Sequence, residues 1–177
     1  MVRPEYGISY PWGKPEVTEI IEPLLPSRAH ILDIGAGAGV YREYIGRKHY
    51  WTAIESWPPT AEYLRGVYDE VYECDIRDFE YKKKYDLIIF GDVLEHLTVD
   101  DAKYELARAM QWSDLILVAV PYRLPQDAIH GNEAEIHRQP DLTIGIMSER
   151  YPQLKPIHIV KQGNHLVYGY YLYKGEE

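Results

Sequence analysis

The stretch Ile31-Leu32-Asp33-Ile34-Gly35-Ala36-Gly37-Ala38-Gly39-Val40-Tyr41 runs an apolar segment into a turn made of glycine and alanine alone, then into a helical pattern. Residues that small let the backbone approach a ligand closely, and a helix that follows offers free N–H groups there. The spacing is Gly-x-Gly-x-Gly, because position 40 is valine. A dinucleotide pyrophosphate favours Gly-x-Gly-x-x-Gly, so the nicotinamide reading loses ground. Asp33 sets a carboxylate at the mouth of the turn, which suits a ligand with an ammonium group better than one with phosphates. Glu55 ends a second apolar segment, where a carboxylate can accept from both hydroxyls of a ribose. Asp75 follows a third, in position to accept from the exocyclic amine of an adenine. A ligand with an amino-acid end, a ribose and an adenine is S-adenosylmethionine.

These residues need a scaffold of alternating strands and helices. His30–Ile34, Trp51–Ile54, Val71–Cys74, Tyr85–Phe90 and Leu115–Val120 read as strands, the last two apolar without alternation, as strands covered on both faces are. Helical patterns separate them: Val17 to Leu25, opened by Pro15 and shortened by Pro23; Val40–Ile45; and a stretch marked by Ala61, Leu64 and Val67. Another is capped by Thr98, with Ala102, Leu106 and Met110 facing inward. A last helix is expected from about Pro140 to Arg150. Pro156–Val160 and Leu166–Tyr173 then pair across Gln162-Gly163-Asn164. The pattern predicts a parallel sheet with an antiparallel edge.

The chain resembles the class I S-adenosylmethionine-dependent methyltransferases over nearly its whole length. Asp33–Gly39 looks like their first motif, Glu55 like their ribose acid and Cys74-Asp75-Ile76 like their adenine-contacting site. Asp86–Leu97 (DLIIFGDVLEHL) is similar to their fourth motif, in the form common among small-molecule and sugar methyltransferases. The resemblance implies a Rossmann-like, doubly wound α/β sheet of seven strands, mostly parallel with an antiparallel C-terminal hairpin. It implies S-adenosylmethionine as cofactor, held by Asp33, Gly35, Ala36, Gly37, Gly39, Glu55, Ser56, Asp75, Ile76, Asp92 and Val93. The expected activity is methyl transfer to an oxygen or nitrogen of a small-molecule or sugar-like acceptor. The alternatives are a cofactor-binding accessory subunit without catalysis, or a methyltransferase acting on protein or nucleic acid.

Ligands in such open sheets sit beyond the carboxyl ends of the strands. The candidate bases are therefore His96 after the fourth strand and His130 in the connection after the fifth, favoured over His137, with Asp92 at the end of the fourth strand close behind. Asp92 has a second reading, as the acid that holds the cofactor's amino end. The Tyr122–Pro140 connection exceeds the usual two to six residues and reads as a functional loop. Its His130, Glu133, Glu135 and His137 are types that bind zinc or iron. Nothing in the sequence fixes their geometry, so a substrate loop is preferred and no metal is assigned.

One domain is expected over residues 1–177, with 1–27 as an N-terminal lid and helix and 28–177 as the core. With no appended substrate domain expected, the pocket roof must come from Tyr6–Lys14, from Tyr122–Pro140 or from another subunit, a second copy or a partner. Nineteen basic against 28 acidic residues give a net charge of −9, against a basic nucleic-acid platform. The fourth-strand tail Gly91-Asp92-Val93-Leu94 lacks the Asp/Asn-Pro-Pro-Tyr of amino-methylating DNA enzymes, so nucleic acid is the weaker substrate class. Cys74 is the single cysteine, which rules out an internal disulfide. No apolar run approaches the roughly 18 residues of a membrane span, and no signal core follows Met1, so a cytoplasmic location is expected.

Overall fold

The computed structural model describes residues 11–175. Helix α1 (Lys14–Ile21) carries proline in its first turn and ends where Pro23 forces a short 3₁₀ turn, Glu22–Leu24. There follow β1 (His30–Ile34), α2 (Val40–Ile45), β2 (Tyr50–Glu55), α3 (Pro58–Leu64) and β3 (Glu70–Glu73). Next come β4 (Leu87–Gly91), α4 (Val99–Met110), β5 (Leu115–Pro121), α5 (Ile144–Arg150), β6 (Lys155–Gln162) and β7 (His165–Lys174). The seven strands form one sheet in the order β3-β2-β1-β4-β5-β7-β6. β1 to β5 run parallel, and β7 is antiparallel to both β5 and β6. This is the Rossmann-like α/β sheet with its antiparallel hairpin that the sequence predicts.

The pleat sends alternate residues to opposite faces, and each face has its own core. Leu32, Ile34, Phe90 and Val118 pack with Ala102, Leu106 and Ala109 of α4 and Met147 of α5. Ile31, Trp51, Ile89 and Leu117 pack with Val17 and Ile21 of α1, Tyr41 and Ile45 of α2 and Leu64 of α3. Continuous apolar runs such as Leu87–Gly91 are thus covered on both sides.

Several boundaries move. Met110 of α4 is half-buried, and Ala109 fills the core position beside it. Val67 lies past α3 in a turn whose N–H bonds back to the Leu64 carbonyl. The last helix begins at Ile144 instead of near Pro140, because the Thr143 hydroxyl accepts from the Ile146 N–H as its cap. The preceding residues are used elsewhere: Leu142 is buried, and its carbonyl accepts from Arg123 N–H.

The order 2-1-4 around β1 is a switch point. β1 and β4 send their connections to opposite faces, so a crevice opens beyond their carboxyl ends. Its floor is tight: a Cβ on Gly91 would lie 2.2 Å from Cε2 of Tyr41 on α2. Gly91→Ala is therefore expected to cost about 1–3 kcal/mol by overpacking. Chemical denaturation with an unchanged m-value is the check; a midpoint equal to wild type would contradict this packing.

Candidate active site

One cavity of about 630 Å³ occupies the crevice. Its lining takes Gly35 and Gly37 from the β1–α2 turn, Glu55 and Ser56 from the end of β2, and Asp75 and Ile76 from beyond β3. Asp92, Val93, Glu95 and His96 come from the end of β4, and Glu133, Glu135 and His137 from the long connection after β5. Gly35 has φ 63°, a left-handed conformation, and a Cβ there would meet Val93 Cγ2 at 2.7 Å. The turn therefore needs glycine for conformation and for closeness at once.

Glu55 is buried at the lip of the crevice. Its Oε2 accepts from Gly37 N–H at 3.1 Å and its Oε1 from Trp57 N–H at 2.9 Å. Burial raises its pKa, and these backbone bonds hold it partly back. Asp75 caps the 3₁₀ turn Ile76–Asp78 by accepting from Arg77 N–H, and both of its oxygens also receive the Arg77 guanidinium, at 2.9 and 2.7 Å. That guanidinium holds the Asp75 carboxyl below its usual range. The acid read as an adenine acceptor thus already has a partner.

Asp33 is brought elsewhere. It is 1% exposed beneath the turn, where its Oδ2 accepts from the Tyr68 hydroxyl at 2.6 Å and its Oδ1 has no partner. Ala36 and Gly39 likewise shape the turn from behind, Ala36 in the core and Gly39 at the start of α2 against Tyr68. Burial raises the Asp33 pKa to about 7, with the Tyr68 hydroxyl and the Lys14 charge opposing and Glu55 adding. Lys14 is also 1% exposed, with its ammonium 4.6 Å from the centre of the Tyr41 ring. Burial lowers its pKa, while Asp92 and Asp33 pull it back up. Nothing in sequence spacing announces a lysine of the first helix under the crevice.

Asp92 follows Gly91 with φ 58°, a conformation uncommon outside glycine. Its Oδ1 accepts from the Tyr168 hydroxyl of β7, and its Oδ2 is buried without a partner. His96 lies one 3₁₀ turn on, its ring centre 4.7 Å from that of His137. Burial and His137 push its pKa down to about 4, with the backbone of Ile136 and Glu135 opposing. His130 is exposed on the loop and is not part of the cavity lining. Of the roof segments named from sequence, residues 6–10 lie outside the described residues, and Tyr122–Pro140 supplies Leu124, Gln126 and Glu135 to the cavity. Sequence reasoning passed over Glu95, which is 1% exposed with both carboxylate oxygens lacking partners. Its one signal was adjacency to His96.

Residues 32–113 match the family model described as "Methyltransferase domain". No curated protein matches the chain significantly. Among solved structures, an S-adenosylmethionine-dependent methyltransferase from Clostridium acetobutylicum superposes with a TM-score of 0.68 at 14% identity, over 96% of this chain and 93% of that one. The plantazolicin methyltransferase in complex with SAH gives 0.65 at 14% identity, over 93% and 83%. The 1,6-didemethyltoxoflavin-N1-methyltransferase of Burkholderia thailandensis, solved with that compound and S-adenosylhomocysteine, gives 0.63 at 18% identity, over 94% and 79%.

Asp33 generates a pH prediction. Its carboxyl ionises near 3.8 when unfolded and near 7 when folded. Between those values the unfolded state binds fewer protons, so this group makes stability fall as pH rises and then level off above about 7. Asp33→Asn keeps an acceptor for Tyr68 and removes the slope. The variant should gain on wild type between pH 4 and pH 8 in urea unfolding; a parallel pair of stability curves would contradict the assignment.

Proposed function

We propose that the chain is a class I S-adenosylmethionine-dependent methyltransferase and that it moves a methyl group to an oxygen or nitrogen of a small-molecule or sugar-like acceptor, a reading supported by the methyltransferase-domain match over residues 32–113. The observation that carries the proposal is the cavity itself, lined together by a glycine turn, a strand-end acid and Asp92. S-adenosylmethionine, when bound, supplies a methyl on a positively charged sulfur. The residues fit it at separate points. Gly35 and Gly37 admit close backbone approach, and Glu55 offers a carboxylate to two hydroxyls. Cys74, Ile76 and Leu97 line the cavity and offer apolar contact to an adenine. Asp92 and Glu135 add negative charge around an ammonium or sulfonium.

The acceptor side falls to the roof formed by the long connection. Leu124, Ile129 and Ala134 line it, so it can exclude water as well as bind. Much of the barrier to such a displacement is removed by alignment of the acceptor with the methyl. A proton must leave when the acceptor arrives as a hydroxyl or protonated amine. Asp92 is the residue proposed to take it, since it lines the cavity and the Tyr168 hydroxyl fixes its Oδ1. The whole chain is proposed to act as one catalytic unit; of the N-terminal stretch 1–27 expected as lid and helix, residues 1–10 lie outside the described residues and α1 packs on the core through Val17 and Ile21. No helix of the described residues is long and apolar enough to cross a membrane. A cytoplasmic location accords with that and with the single cysteine.

Calorimetry should show binding of both S-adenosylmethionine and its demethylated product. Glu55→Ala should lose roughly 1–3 kcal/mol of either affinity, the scale of a charge-assisted hydrogen bond. Tighter binding of NADH would favour an oxidoreductase. Turnover of labelled cofactor against sugars, phenols and amines separates an enzyme from an accessory subunit, which would bind without turning over. With an accepted substrate and saturating cofactor, Asp92→Asn should lose on the order of 10²–10⁴ in rate. A normal rate in that variant would remove Asp92 from the role.

A further inference from the structure

We infer that Glu95, His96 and His137 form a site for one divalent transition-metal cation in the wall of the cleft. This departs from the sequence reading, which assigned no metal and weighed a different set of ligands. Among the described residues, one ligand atom from each of these three side chains lies within 4.8 Å of the others. Of the four loop residues weighed from sequence, His137 alone enters this cluster.

The donor atoms are fixed and available. His137 Nδ1 lies 2.6 Å from the Leu124 carbonyl oxygen, which can only accept. Nδ1 therefore carries the proton, and Nε2 keeps its lone pair, the arrangement that orients a metal-binding imidazole. His96 Nδ1 is buried and has no partner. Glu95 is 1% exposed, and neither of its carboxylate oxygens has a partner. A single cation can draw at once on one oxygen of Glu95 and one lone pair of each imidazole.

The backbone around the site is built, not loose. The Glu95 carbonyl accepts from Arg138 N–H at 2.7 Å and Gln139 N–H at 3.0 Å. The buried Gln139 side chain donates to the carbonyls of Leu94 at 2.7 Å and Leu97 at 3.2 Å. Its own oxygen accepts from Tyr151 and Arg150. The segments that carry Glu95, His96 and His137 are thereby tied together independently of the three side chains. Asp92 and Glu135 line the same cavity, so the local charge is negative and favours a cation.

Two imidazole nitrogens and one carboxylate oxygen suit Zn²⁺, Co²⁺, Fe²⁺ or Ni²⁺, whereas Mg²⁺ and Ca²⁺ seek all-oxygen sets. Three protein ligands leave coordination open, as in catalytic sites. Resting on the methyltransferase reading, the open position faces the acceptor and favours one with a hydroxyl. An oxygen bound there has its pKa lowered, so its proton leaves to Asp92 or solvent near neutral pH. Its electron pair then forms the bond to the methyl carbon as the carbon–sulfur bond breaks, with that pair staying on sulfur. His96 is thus a ligand and not the base.

The test uses the full chain, stripped with a chelator and titrated with Co²⁺ alone. One equivalent should bind with a visible d–d band, and the proton spectrum should show two exchangeable, paramagnetically shifted imidazole N–H signals. His137→Ala, His96→Ala and the isosteric Glu95→Gln should each weaken Co²⁺ binding on the order of 10²-fold. His165→Ala, on the exposed hairpin, should bind as wild type. Absence of a bound equivalent, fewer than two shifted N–H signals in the wild type, or wild-type affinity in the three variants overturns the site. The two-signal readout needs no variant and stands even where a substitution prevents folding. Calorimetry of the same stripped protein with S-adenosylhomocysteine separates the two readings. Binding of the nucleoside without Co²⁺ binding overturns the metal site alone. Binding of Co²⁺ without the nucleoside supports the site and overturns the methyltransferase reading.

Discussion

The cleft depends on how closely the turn after β1 and the helix that follows approach the end of β4. Gly35 lies where a Cβ would strike Val93, and Gly91 where one would strike the Tyr41 ring. These contacts leave no room for side chains between the two carboxyl ends, so backbone and ligand share the space. They also fix the direction in which the chain leaves β4. Asp92 turns left-handed immediately after Gly91, and the next residues form the 3₁₀ turn that carries Glu95 and His96 into the cavity wall. One packing constraint thereby sets both the cofactor side and the acceptor side.

Buried charge is the cost of that arrangement. Asp33, Glu55, Glu95 and Glu135 all have their pKa values raised, with burial as the leading cause. Lys14 sits under the same region among Tyr41, Tyr168 and Tyr170. Tyrosines serve here as walls whose hydroxyls can still donate, which explains part of the chain's 17 tyrosines. Tyr68 donates to Asp33 and Tyr168 to Asp92. An anionic crevice of this kind is stable when a cation completes it, and the proposed ligands are cationic: a sulfonium, an ammonium and a metal ion.

Sheet order and the glycine turn were legible because each rests on local signals. Apolar runs in β4 and β5, the Thr98 cap and the Gly163-Asn164 hairpin all speak through neighbouring residues. Glu55 was legible for the same reason, as an acid at the end of a strand next to a glycine turn. What stayed hidden depends on side chains brought together from distant segments. The Arg77 guanidinium on Asp75, the Tyr68 hydroxyl on Asp33 and the meeting of Glu95 with His137 leave no trace in spacing. The loop histidines show the limit most clearly: the sequence reading favours His130 over His137, yet His130 is exposed and His137 is buried against His96.

The most direct test of the account is a crystal structure of the chain with S-adenosylhomocysteine. The account predicts the nucleoside in the crevice beyond β1 and β4, its ribose hydroxyls on Glu55 and its adenine against Ile76. Its sulfur should face the space between Asp92 and His137. A nucleoside bound away from the glycine turn, or seated there with its sulfur directed out of the cavity, would contradict it.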